Sequence, residues 1–210
     1  MSGTVTVIDH PLVQHKITRL RSTETESGLF RSLCHEVTLL AAYEALRDLP
    51  TVPVEVTTPL TTTQSPTLDG PPPVVVGILR AGLVMVEAIL ELIPQAAVGH
   101  LGMARDPDTH EAVPYYRRLP PAVEGREIIL VDPMLATGGS AILALDELAA
   151  AGARPGRLLS IIGCPEGVEA VHDAHPEVDI TLATMDERLN ENAYIVPGLG
   201  DAGDRIYGTE

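Results

Sequence analysis

The segment IILVDPMLATGGSAILALDEL, residues 128–148, carries the most chemically suggestive spacing in the chain. An apolar run ends at Asp132, a turn with Thr137, Gly138, Gly139 and Ser140 follows, and Ile142, Leu145 and Leu148 then repeat on one helical face. Strand, glycine-rich turn and helix N-terminus, in that order, form a cradle for phosphate. The first-turn N–H groups of a helix have no partners inside it, and the helix dipole adds about half a positive charge there. Glycines remove the side chains that would hold phosphate oxygens away from those amides, and the Thr137 and Ser140 hydroxyls can donate further bonds. Asp132 is placed to accept from sugar hydroxyls. Neither the dinucleotide spacing G-x-G-x-x-G nor a Walker lysine occurs here. On residue types alone, an ordinary strand-to-helix turn with Ser140 as N-cap weighs equally.

Three other stretches could supply chemistry. Arg80 directly follows the apolar run VVVGIL (74–79), where a guanidinium can clamp a diphosphate in bidentate fashion, although a structural ion pair is the commoner duty of such a residue. Residues 103–121, MARDPDTHEAVPYYRRLPP, suit neither a core strand nor a helix and read as an exposed hairpin arm with its turn at 106–109. Near the C-terminus, YIVPGLGDAGD holds Gly198, Gly200 and Gly203, which let main chain approach a small flat ligand closely. His172 and His175 form an H-x2-H pair, but no Cys or further His lies at ligand spacing, which favours a solvated helix end over a metal site. Cys34 and Cys164 offer no disulfide framework and read as reduced, buried thiols.

The elements that must position these residues follow from periodicity. VVVGIL (74–79), IILV (128–131) and LLSIIG (158–163) are continuous apolar runs, with a weaker fourth at 178–183. Continuous runs mark strands covered on both faces, as in a parallel sheet. Helix-like segments at 83–93, 140–151 and 168–174 separate them, so the expected fold class is α/β, a doubly wound and mainly parallel sheet flanked by helices, with ligands beyond the carboxyl ends of the strands. A long amphipathic helix is expected over 23–49, with Thr23 and Glu26 as a capping box. Residues 59–73, PLTTTQSPTLDGPPP, read as a surface loop.

At 210 residues, 45% of them hydrophobic, one domain over 1–210 is expected, with the arm at about 103–121. No apolar run approaches the ~20 residues that cross a bilayer, and the N-terminus lacks a signal-like stretch, so the chain is expected in the cytoplasm with no membrane partner. With 14 Lys and Arg against 29 Asp and Glu, the net charge of −15 argues against nucleic acid as a partner. An anionic ligand must be held locally, by a few arginines and backbone amides.

VDPMLATGGS (131–140) resembles the motif with which uracil phosphoribosyltransferases bind phosphoribosyl pyrophosphate (PRPP). HPL (10–12), ILRAGL (78–83), VPYY (113–116), CPEG (164–167) and YIVPGLGDAGDRIYGT (194–209) agree with that family in order, so the resemblance spans the chain. It implies a type I phosphoribosyltransferase fold and an enzyme that joins uracil to PRPP to give UMP and pyrophosphate. It places Asp132, Pro133, Met134, Leu135, Ala136, Thr137, Gly138, Gly139 and Ser140 on the phosphate and ribose of PRPP, with Arg80, Arg105 and Asp201 also facing that ligand. Ile195, Gly200, Asp201 and Ala202 of a C-terminal segment at about 190–210 would contact uracil, largely through main chain. Arg80, Arg105 and Asp201 are thereby the catalytic candidates. In the wider class the loop of Arg80 often holds a non-proline cis peptide.

Two departures qualify the transfer of roles. Pro133 stands where the wider class has a second acidic residue, so magnesium is expected to be carried by PRPP, with no protein metal site. Ala104 replaces an aromatic residue common in relatives, which bears on the packing of the arm. The resemblance also implies GTP as an allosteric activator and a homodimer or higher homo-oligomer. Tyr115 and Tyr116 on the arm could close it over the site or, the reading preferred here, make a dimer contact. His10 is assigned to structure. A second reading is a pyrimidine-sensing regulator of the same fold that binds RNA, which would need a basic face; a third, an enzyme for another base, is disfavoured by YIVPGLGDAGD.

Overall fold

The computed structural model describes residues 2–105, 112–121 and 123–209. Strand β1 (Val5–Val7) leads into helices α1 (Pro11–Arg21) and α2 (Ser27–Ala45), and then into a hairpin of β2 (Thr51–Thr57) and β3 (Thr62–Leu68). The alternating part follows as β4 (Val74–Leu79), α3 (Leu83–Leu92), β5 (Ala97–Arg105), β6 (Ala112–Arg118), β7 (Glu127–Val131), β8 (Met134–Leu135), α4 (Gly139–Ala150), β9 (Arg154–Gly163), α5 (Pro165–Ala174) and β10 (Asp179–Met185). A second small hairpin, β11 (Arg188–Leu189) with β12 (Ile195–Val196), and helix α6 (Ala202–Tyr207) complete the chain.

The main sheet runs β1-β10-β9-β7-β4-β5-β6, with β8 added beside β9. Every pairing is parallel except β5 with β6. The four apolar runs are therefore β4, β7, β9 and β10, and the strand residues alternate between two cores. Val75, Ile129, Val131, Leu159 and Ile161 face a layer built from α1, α2, α3 and α6. Val74, Val76, Ile128, Leu130 and Leu158 face α4 and α5, where Leu145 and Leu148 are 1% exposed. Burial of each such leucine contributes about 1.5–3 kcal/mol, which is why continuous apolar runs become central strands.

The N-terminal third departs from the sequence expectation. Residues 11–21 form α1: His10 is its N-cap, with Nδ1 accepting from Leu12 N at 3.2 Å, and Pro11 occupies the first turn, where it needs no N–H. Helix α2 starts at Ser27 and ends at Ala45, and Glu26 stands at its N-cap without a side-chain cap. The expected capping box does not form because residues 22–25 already make the turn out of α1, with Thr25 Oγ1 donating to Arg19 O at 2.6 Å.

Residues 59–73 are not a plain loop, since β3 lies within them and pairs with β2 over seven positions. The pattern was obscured because β3 is polar and exposed, so no apolar alternation marks it. Pro53 opposes Pro66 in this ladder, a position where neither partner has to donate an N–H. The arm is present as β5 and β6; β4 accompanies β5 as far as Gly102, and beyond it residues 103–105 pair with β6 alone. The expected turn at 106–109 lies outside the described residues.

Candidate active site

Strands β4 and β7 are neighbours, yet the chain leaves them in opposite directions, through α3 on one face and through α4 on the other. Such a reversal opens a crevice at the carboxyl ends of the strands, the habitual ligand position in this architecture. The crevice here is a cavity of about 700 Å³, reached by residues 78–81, Met103 of the arm, the 132–140 loop and residues 191–203. Arg80, Asp132, Met134, Ala136, Ser140, Ile195, Gly200, Asp201 and Ala202 all line it.

The 132–140 loop is fixed from below rather than left as a flexible turn. Asp132 N donates to Leu159 O at 3.3 Å, and Pro133 O accepts from Ile161 N and Ile162 N at 3.1 and 3.0 Å. Met134 and Leu135 form β8 against Ile162 and Gly163 of β9, a short strand that residue patterns did not suggest. Pro133 and Leu135 turn into the protein, so only their main chain can face the cavity. Gly138, at φ 81, is the N-cap of α4, and no side chain caps that helix; Ser140 is therefore not the N-cap. Thr137 is exposed, with its Oγ1 3.5 Å from Gly139 N. Of the residues at the start of α4, Ser140 lines the crevice, while Thr137, Gly138 and Gly139 do not; the first-turn amides of a helix have no partners inside it and suit an anion.

The CPEG turn at the start of α5 carries the underside of this loop. Cys164 N donates to Leu135 O at 3.2 Å, and Cys164 Sγ lies 3.2 Å from Ala136 O. A Cβ on Gly167 would come within 2.3 Å of Ala136 O, so only glycine lets the helix approach so closely. Glu166 Oε1 accepts from Leu189 N at 2.9 Å and joins the turn to β11; that bond holds the carboxyl below its ordinary value. Burial raises the Cys164 thiol, and it pushes Cys34 from 9.0 to about 12. Both thiols are therefore protonated near neutral pH, as their reading as buried structural residues expected.

The Leu79–Arg80 peptide bond is cis, as the resemblance implied for this loop. The Arg80 guanidinium lies 3.3 Å from Asp204 Oδ1 and 5.7 Å from the centre of the Tyr207 ring, while Tyr207 Oη donates to Arg80 O at 2.9 Å. The ion-pair reading and the clamp reading meet in one residue: Asp204 and Tyr207 hold a side chain that is still 56% exposed to the cavity. Arg105 ends β5, and its side chain lies outside the described residues. Tyr115 and Tyr116 are exposed and lie by Leu101 and Glu147, away from the crevice.

In the C-terminal segment the Val196–Pro197 bond is also cis, and Gly198 and Gly200 take φ 70 and 80. A Cβ on Gly198 would meet Ile195 O at 2.1 Å. Asp201 is the N-cap of α6, its Oδ1 accepting from Asp204 N at 3.0 Å. Ile195 and Ala202 are buried and reach the cavity from its floor, and Asp201 is exposed at its rim. His172 and His175 each have a local contact, Nε2 of the first 3.0 Å from Val178 O and Nε2 of the second 3.1 Å from Asp146 Oδ1.

A parallel sheet whose connections change face between β4 and β7, with a glycine-rich turn and an arginine loop on one cavity, is the fold of the phosphoribosyltransferase class. Adenine phosphoribosyltransferase from Leishmania donovani shares this fold at a TM-score of 0.59 and 16% identity, over 92% of this chain and 88% of that one. A family model described as uracil phosphoribosyltransferase matches residues 7–209, and the chain belongs to that family. Uracil phosphoribosyltransferase of Alkaliphilus oremlandii is 54% identical over 98% of this chain and 99% of its own, and that of Geobacillus kaustophilus is 53% identical over 99% and 100%. The solved AQ2163 protein of Aquifex aeolicus superposes with a TM-score of 0.93 at 37% identity, covering 99% of both chains.

Proposed function

We propose that this chain transfers the phosphoribosyl group of PRPP to N1 of uracil, releasing pyrophosphate and UMP. The observation that carries the proposal is the meeting of three unlike segments on one cavity: the glycine-rich loop through Asp132, Met134, Ala136 and Ser140, the Arg80 loop and the 195–203 segment. The cradle amides and the Thr137 and Ser140 hydroxyls hold the 5-phosphate, and Asp132 receives the ribose hydroxyls. Residues 133–136 supply main chain to the same ligand. Arg80, joined by Arg105 from the arm, neutralises the departing diphosphate.

Uracil offers two carbonyl acceptors and an N3–H donor in one plane, which main-chain groups at Ile195, Gly200 and Ala202 can match. Substitution at the anomeric carbon passes through an oxocarbenium-like state, and no covalent nucleophile is needed. The chain's contribution is position and charge: both reactants are oriented, and Asp201 favours loss of the uracil N1 proton. Among the described residues no group of three or more His, Cys, Asp or Glu is arranged to hold a metal. Asp132 followed by Pro133 fits magnesium arriving as part of the PRPP complex, where it would screen the diphosphate charge. No observation favours an RNA-binding regulator, and the excess of 29 acidic over 14 basic residues weighs against one.

Turnover on uracil, cytosine, hypoxanthine and orotate, each with PRPP and magnesium, tests this reading. Uracil alone should yield its nucleotide at an appreciable rate. Preferred turnover of any other base, or binding of UMP without turnover of uracil, would overturn it.

A further inference from the structure

The segment proposed to meet uracil is gripped from outside by one ion pair between a half-buried arginine and a buried aspartate. Asp186, the residue after β10, is 7% exposed. Its Oδ2 accepts from Arg21 Nη1 at 2.7 Å, its Oδ1 from Arg21 Nη2 at 2.5 Å, and its Oδ2 again from Gly198 N at 2.7 Å. Arg21 Nη1 also donates to Gly198 O at 2.9 Å. The N–H and the C=O of a single residue are therefore held by the two members of one salt bridge. That residue lies two positions before Gly200 and three before Asp201.

The grip comes from far along the chain. Arg21 is the last residue of α1, 177 positions from Gly198, and the same helix end is tied to α6 by Arg205, which donates to Leu20 O at 2.5 Å, Ser22 O at 2.6 Å and Leu199 O at 2.8 Å. A buried ion pair contributes little net stability compared with apolar packing, so stability alone is a weak reason for this arrangement. Bonds from both charges to one peptide of the cavity wall give it a geometric duty instead. A 1 Å error in such a wall is enough to lower a rate about 100-fold.

We infer that Arg21 and Asp186 are positioning residues for the base: they set the main chain of residues 198–202 at the height and tilt that uracil recognition requires. This rests on the reading of that segment as the uracil site. Neither residue lines the cavity, so both are read as acting through the main chain of Gly198. Arg21→Lys keeps the charge but loses the planar fork that reaches both Asp186 and Gly198 O. Asp186→Asn keeps the shape and the acceptor for Gly198 N but loses the charge.

Steady-state kinetics of the full-length Arg21→Lys and Asp186→Asn proteins, with melting curves beside them, provide the test. The expected result is a KM for uracil raised about tenfold or more, a KM for PRPP within about twofold of the parent, and a cooperative melt. Equal rises in both KM values, or unchanged kinetics in a folded Arg21→Lys protein, would overturn the inference. So would failure of both variants to fold, because the pair would then serve the fold as a whole. A parent protein inactive on uracil would instead remove the functional reading itself.

Discussion

The capping of α6 by Asp201 and the catalytic part proposed for it can be separated by different substitutions. Its Oδ1 caps α6 by accepting from Asp204 N, and the same carboxylate stands at the rim of the cavity. Asparagine caps a helix about as well as aspartate, whereas alanine costs about 1 kcal/mol at such a position. If the charge assists loss of the N1 proton, Asp201→Asn should lower kcat about 100-fold or more with an unchanged melting temperature. Asp201→Ala should lose the same activity and melt earlier as well. Full turnover by the asparagine variant would confine Asp201 to capping. The sequence nominated this residue, and Arg80, because each sits in a compact local motif. That Asp204 and Tyr207 hold Arg80 was not legible, since their bonds to it join residues 124 and 127 positions apart. The pairing of Arg21 with Asp186 is hidden for the same reason, 165 positions separating them.

At the scale of elements, what could be read was whatever burial imprints on residue order. Strand β4 begins and ends where its apolar run does, and β7, β9 and β10 differ from theirs by a few residues, because both faces of each strand are covered. The β2–β3 hairpin is largely exposed; Val52, Val54 and Val56 alternate along β2, but β3 is polar and carries no apolar alternation to mark it as the partner. Helix α1 was equally legible: Val13, Ile17 and Leu20 fall at i, i+4 and i+7 behind a proline in the first turn. The phosphate loop was legible as a motif, but its support was not: a glycine in CPEG carries no chemical signal until Ala136 O is seen 2.3 Å from where its Cβ would stand. Gly167→Ala must push α5 away from the loop or displace Ala136. The expected outcome is a KM for PRPP raised about tenfold with a smaller change for uracil, since the lost contact lies under residues 135–138. Unchanged PRPP kinetics would show that the loop holds its form without α5.

For the whole molecule, the two cores differ in what they can tolerate. The layer containing α1, α2, α3 and α6 encloses Cys34 and Phe30, and the Arg205 guanidinium stacks 4.3 Å from the centre of the Phe30 ring. Burial pushes the Cys34 thiol from 9.0 to about 12, with the Arg205 charge opposing part of that rise. A proton held more tightly in the folded state stabilises that state fully below pH 9, where the unfolded thiol also keeps its proton. Above pH 9 the unfolded chain ionises first, and stability falls by about 1.4 kcal/mol per pH unit until the folded value is reached. At about pH 10.5 the parent should therefore have lost about 2 kcal/mol more than a Cys34→Ala protein, which has no such proton to lose. Denaturant unfolding of both proteins across about pH 7.5 to 10.5 measures the difference, the tyrosines being common to both. Parallel curves would mean that the thiol ionises in place, and that water enters this layer around Phe30 and Cys34.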